Sequence, residues 1–381
     1  MSIKINSIRD NLAWLLLSFF LIVAVAVQVL EFTDDMMNMF KALAGLICYV
    51  FGFIYCNRKL VGKSVVYGVA MSSFMVLNII TVENATWVHL LWIWAYLGVA
   101  MLLFDFGIPR RFVIIIFYSV CAYFFYLALS GSFIKEILTH GSANHVSILC
   151  VFYMFLYYLS FRSRKVELLP YIPVLVVLFL SLWTASRAGI FSCALFFVLL
   201  LRHNYKHSNT KYQKIVFFAI IGLLAAGAAY FFINYFDMFD EALLDKVDKQ
   251  GMESARSEIW KEYFRGMTDN IEYLFFGVFG DSPMYPALRR YDGNPHNSFL
   301  MLHAKFGLLG FVFIIFFLFK SLKKMFKKKD SLLIYLFILS FLRCFFDWNA
   351  FPGLYDVIFW FFVFYKDLDP RYNEYQHSLI V

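Results

Sequence analysis

Runs of about 20 mostly apolar residues recur along the whole chain with only short polar breaks between them, and each is long enough to cross a bilayer as a helix. A backbone buried in hydrocarbon must satisfy its own N–H and C=O groups, so such runs fold as helices and not as open strands. Hydropathy places spans near 12–30, 39–56, 64–82, 88–106, 112–130, 146–161, 168–182, 187–201, 215–233, 298–319, 331–346 and 353–365. Hydrophobic residues make up 62% of the chain and charged residues 16%, too little polar surface to wrap a water-soluble fold. The class expected is an all-α polytopic membrane protein of about 12 transmembrane helices. Helices 1–9 fall in residues 1–233, one large polar loop in 234–297, helices 10–12 in 298–365 and a tail in 366–381.

A net charge of +8 suggests a polyanionic partner only until the basic residues are located. They sit in short loops: Arg58, Lys59 and Lys63; Arg110 and Arg111; Arg162, Arg164 and Lys165; Arg202, Lys206, Lys211 and Lys214; Lys320 through Lys329. The alternate loops, Glu31 to Asn38, Val82 to Val88 and Asp347 to Pro352, contain no Lys or Arg. The positive-inside rule then makes the basic loops and both termini cytoplasmic, with anionic membrane lipids as their partners and no nucleic acid. All six cysteines lie in or beside apolar segments without CxxC spacing, so neither a disulfide framework nor a zinc site is expected. The apolar stretch after Asn11 lacks a small-residue cleavage site and reads as a first helix, not a removed signal.

Two places break the pattern of spans. Leu168 to Leu201 is too long for one helix and carries Thr184-Ala185-Ser186-Arg187 near its middle, so two short helices are expected to meet there at the exoplasmic side. An arginine at that depth faces water, protein or an anionic ligand, with helix pairing or snorkelling as the plainer role for Arg187. The second break is the loop from Asn234 to Asn297. Leu243, Leu244 and Val247, then Ile259, Trp260 and Tyr263, recur at intervals of three and four, as amphipathic helices lying against a membrane domain do. Phe275 to Asp281 and Tyr291 to Pro295 are rich in Gly, Pro and Asp and read as turns or irregular loop.

The chain has no GxSxG, HExxH, Walker A or GxGxxG sequence and no Cys/His metal cluster. What gathers on the exoplasmic side is a set of arginines, a histidine and hydroxyl or amide groups. Arg187, Arg256 and the pair Arg289 and Arg290 can grip a phosphate or pyrophosphate through the guanidinium fork. His296, in Asn294-Pro295-His296-Asn297-Ser298, titrates near neutrality and can take a proton from a sugar hydroxyl. The same segment can equally serve to cap the helix that begins at Phe299. The residues alone leave both roles open.

From His296 the sequence runs His-Asn, nine residues, then Gly307-Leu308-Leu309-Gly310, which resembles the HNx9GxxG signature of the O-antigen ligase and O-antigen polymerase superfamily. Thr184-Ala185-Ser186-Arg187-Ala188-Gly189 resembles that superfamily's TxSRxG turn, and Arg256 to Trp260 its RxxIW helix; Gly277 and Gly280 are similar to the glycine pair that follows. The likeness covers about residues 165 to 320, and Ala188 departs from the commoner glycine. It implies a GT-C-like glycosyltransferase of the bacterial inner membrane, inverting and metal-independent, with no cofactor and a periplasmic active site. The donor is then a glycan carried on undecaprenyl pyrophosphate. By the same resemblance Arg187 and Arg256 engage the pyrophosphate, His296 activates the acceptor hydroxyl and Asn297 belongs to the substrate site. Arg289 and Arg290 have no counterpart in these motifs, and a substrate role for them rests on charge and position.

A polymerase is the first expectation within the superfamily, extending one lipid-linked glycan with the repeat unit on another, with a chain-length regulator protein as a possible partner. A ligase moving the finished chain onto lipid A-core is the alternative. A flippase for a lipid-linked glycan is the alternative from another class. It calls for charge near the midplane in repeated halves. Here Lys305 and Arg343 are the basic residues well inside the later spans, and no internal repeat is evident.

Overall fold

The structure, a computed structural model, describes residues 2–29, 34–130, 144–162, 168–207, 255–291 and 293–369. Among them it forms fourteen helices and no strand. The first eight are α1 (Ser2–Val29), α2 (Asp34–Tyr55), α3 (Arg58–Thr81), α4 (Trp87–Asp105), α5 (Arg110–Leu129), α6 (Asn144–Leu159), α7 (Ile172–Trp183) and α8 (Arg187–His207). The remainder are α9 (Ala255–Asp269), α10 (Ile271–Phe276), α11 (Pro286–Arg289), α12 (Ser298–Lys328), α13 (Ser331–Phe346) and α14 (Asp356–Tyr365). Among the described residues six helices are long and apolar enough to cross a membrane and five more are shorter apolar helices, as expected of a multi-pass membrane protein. The expected span at 215–233 and the amphipathic segment at Leu243 to Val247 lie outside the described residues.

Layering follows from which helices are apolar all round. α6 is buried without interruption from Val146 to Leu159 and α14 along its whole length, so both sit at the centre. α1, α5 and the lower part of α12 instead expose Leu15, Phe19, Ile115, Tyr126, Val312 and Phe316, large apolar side chains on the outside of the bundle. At ten residues α14 rises only about 15 Å. The segment 347–355 before it is irregular backbone whose polar groups are met within the protein. Asp356 accepts from the N–H groups of Phe351 (2.7 Å) and Gly353 (3.2 Å), and the Ser298 hydroxyl accepts from Asn349 N (2.9 Å).

The loop helices dock on α12 through a break in it. Gly307 sits at φ 68°, ψ −176°, outside helical geometry, so Ser298–Phe306 and the remainder of α12 are two helical pieces meeting at a kink. A side chain at Gly307 would run into the Phe275 carbonyl, and one at Gly277 (φ 103°) into those of His303 and Ala304. Asn78 and Asn84, at the end of α3 and beyond it, both donate to the Ala304 carbonyl (2.8 and 2.9 Å) and also to loop carbonyls at Phe276 and Val278. His303 completes the clamp. Its Nε2 donates to Leu274 O at 2.8 Å, and its Nδ1 lies 2.7 Å from the Tyr263 hydroxyl. Gly307→Ala is therefore expected to lower stability by about 1–3 kcal/mol. Thermal unfolding of the purified protein reads this, and an unchanged Tm would show that the kink is dispensable.

Candidate active site

The turn that ends α7 also launches α8. Ala185, at φ 48°, takes the left-handed position, with Ser186 N bonded to Ser181 O (2.9 Å) and Ala185 N to Leu182 O (2.9 Å), the Schellman pattern. Arg187 is then the first residue of α8, exposed and without a side-chain partner among the described residues. Its charge adds to the positive end of the helix dipole. Two helices do meet here as the sequence indicates, although the second runs 21 residues to His207 and is not short.

The spacing of Arg256, Ile259 and Trp260 has a packing reason. Ile259 and Tyr263, one turn apart, are fully buried, and Trp260 Nε1 donates to Pro295 O at 2.8 Å. Arg256, one turn earlier on α9, is thereby aimed at the end of α13, where its Nη2 meets Asp347 Oδ1 at 2.9 Å. The other oxygen of Asp347 pairs with Arg343, which is fully buried and also donates to Asn144 O (3.3 Å). One carboxylate thus serves two guanidinium groups and leaves a net positive charge. Burial pulls Arg256 below its ordinary range; Asp347 opposes this, while the charges of Arg187 and Arg343 act with it.

His296 stands at the mouth of α12 with φ 49°, a left-handed conformation rare for a residue with a side chain. Its N–H donates to Asn294 Oδ1 at 2.8 Å, and its ring meets Tyr291 edge to face with centroids 5.1 Å apart. Capping falls to its neighbour. Asn297 Oδ1 accepts from Phe299 N (2.8 Å) and Leu300 N (3.1 Å), so that oxygen is committed to the helix while the imidazole is left half-buried beside Arg256 and Asp347. Burial, then the charge of Arg256, lower the His296 pKa from its ordinary 6.5, against the pull of Asp347. A base at His296 is therefore neutral at physiological pH. The acid limb of a pH–rate profile is expected below pH 6.5; a limb at or above that value would contradict the environment described.

The structure brings Arg187, Arg256 and His296 to one end of the bundle from three separate elements. Arg289 and Arg290 close the short α11, which Glu262 pins to α9 through Leu288 N (2.9 Å); both are exposed and neither joins the hydrogen bonds of the cluster. Asp347 belongs to none of the sequence motifs, and Arg343 is legible in sequence only as a basic residue inside a span. The available signal was the i, i+4 spacing of an arginine and an aspartate at the end of an apolar helix. Among the described residues no group of three His, Cys, Asp or Glu stands together as a metal site needs.

Residues 172–315 match the family model described as O-Antigen ligase. The match runs from the start of α7 into α12 and takes in the Arg187 turn, the α9 arginine, His296 and both glycines of the kinked helix. It supports, over that segment, the superfamily to which the motifs point. No curated protein matches the chain.

Proposed function

We propose, from a segment 172–315 of the O-antigen ligase and polymerase superfamily, that the protein is a surface-polysaccharide polymerase. It transfers the growing glycan from undecaprenyl pyrophosphate to a new lipid-linked repeat unit at the periplasmic face of the inner membrane. The observation that carries the proposal is the convergence of Arg187, Arg256 and His296 beside a carboxylate that leaves the cluster positive. His296, neutral, takes the proton of the acceptor hydroxyl as that oxygen attacks C1 of the donor sugar. The bond from C1 to the pyrophosphate oxygen breaks on the opposite side, giving inversion, and the electron pair leaves with undecaprenyl pyrophosphate. Arg187 and Arg256 stabilise the charge that builds on that leaving oxygen. Arg187, exposed and without a side-chain partner among the described residues, is placed to meet the ligand, whereas Arg256 is held in aim by Asp347.

Ligase activity toward lipid A-core is the second reading, favoured by the description of the matching family. Cells carrying Arg187→Ala are expected to lose long-chain glycan while single repeat units are still made, and Arg187→Lys to recover part of the chain because it restores charge but not the fork. A normal ladder in the alanine strain would overturn the role of Arg187.

A further inference from the structure

The first piece of α12, Ser298–Phe306, begins beside the arginine cluster and ends in a cation of its own, Lys305. Ser298 and Lys305 are seven residues apart, almost two full turns, so they share a face about 10 Å apart along the axis. At the first end Ser298 donates to the Asp347 carbonyl (2.8 Å), inside the arginine cluster. At the second, Lys305 is half-buried and donates to the carbonyl of Asn84, in the connection between α3 and α4. An ammonium has three donors, and that bond uses one. His89, on the first turn of α4, stands five residues beyond the Asn84 whose carbonyl holds Lys305. Its Nδ1 accepts from Thr86 N at 2.9 Å, so its proton sits on Nε2, which has no partner among the described residues. Trp92 walls the place, its ring 5.3 Å from that of His89 and 5.8 Å from the Lys41 ammonium. Among the described residues no carboxylate pairs with Lys305 or His89.

We propose that Lys305 and His89 form a second anion site, which holds the pyrophosphate of the acceptor lipid-linked glycan while Arg187 and Arg256 hold that of the donor. The inference rests on the polymerase reading, in which both substrates carry a lipid pyrophosphate and only one of them leaves. The leaving group gains charge in the transition state and needs permanent guanidinium groups. The retained pyrophosphate gains none, so a site for it binds ground state and transition state alike and contributes to KM and not to kcat. A flexible ammonium and an imidazole N–H suit that task.

The test uses the purified full chain in phosphatidylcholine vesicles with a donor repeat unit blocked at its accepting hydroxyl. It compares two acceptors, the repeat unit on undecaprenyl pyrophosphate and the same glycan on an uncharged lipid. The wild type is expected to show a lower KM for the charged acceptor, on the order of 10-fold, as loss of a charge-assisted contact implies. Lys305→Met and His89→Gln should remove that preference with kcat for the uncharged acceptor unchanged, and Lys305→Arg should keep it. Loss of activity toward both acceptors equally would make Lys305 a tether for Asn84 and overturn the proposal. So would a preference set by added phosphatidylglycerol, which would assign the site to phospholipid headgroups. No transfer by the wild type to either acceptor would sink the polymerase reading itself.

Discussion

Alanine at His296 is expected to lower the rate of glycan transfer by about 10²- to 10⁴-fold, the range for removing a positioned general base. The effect should fall on kcat, because the imidazole is assigned to proton removal and not to holding either substrate. Stability should change little. His296 does not cap α12, a task done by the Asn297 side chain, and its side chain makes a ring contact with Tyr291. A His296→Ala protein with the wild-type Tm and normal chain ladders would remove the histidine from the mechanism. One with a low Tm and little folded protein would return it to a structural role.

The second large effect belongs to Asp347. Asp347→Ala strips the carboxylate from Arg343, which is fully buried, and leaves a buried guanidinium without its counter-charge. Breaking one side of a buried pair costs about 3–5 kcal/mol. It also releases Arg256 from the contact that aims it. Asp347→Asn keeps the shape and one acceptor, so it should fold better than the alanine variant yet transfer glycan poorly. Chemical unfolding and transfer assays on the two variants separate the effects; wild-type activity in Asp347→Asn would show that Arg256 needs no anionic partner.

How much of this was legible in the sequence depended on whether a feature was local. The apolar runs carry their own length and so gave helices with most boundaries within a few residues. But α1 starts at Ser2 and not near 12, and α12 continues to Lys328 through the basic stretch expected as a loop, because polar residues can extend a helix beyond its apolar part. The motifs were legible too, because each encodes a local demand. Ala185 closes a left-handed turn before Arg187, Ile259 and Trp260 anchor α9, and Gly307 permits the kink. Asp347 was not legible as part of the site. Its partners Arg256 and Arg343 come from different elements, and only the fold brings α9 onto the end of α13. The same holds for Lys305 and His89, more than 200 residues apart in sequence. Tyr291 and Gly293 lie in turns as indicated, whereas the neighbouring loop contains the short helices α10 and α11. Such helices are held by docking, as by His303 to Leu274 and Glu262 to Leu288, and leave little periodic signal of their own.

The most direct measurement of the central claim is incubation of the purified protein with lipid-pyrophosphate-linked repeat units alone, with and without a metal chelator, followed by sizing of the products. The polymerase reading predicts a ladder of lengthening glycan on lipid pyrophosphate, equal in both arms. Transfer that occurs only after lipid A-core is added, or a ladder that the chelator abolishes, would contradict it.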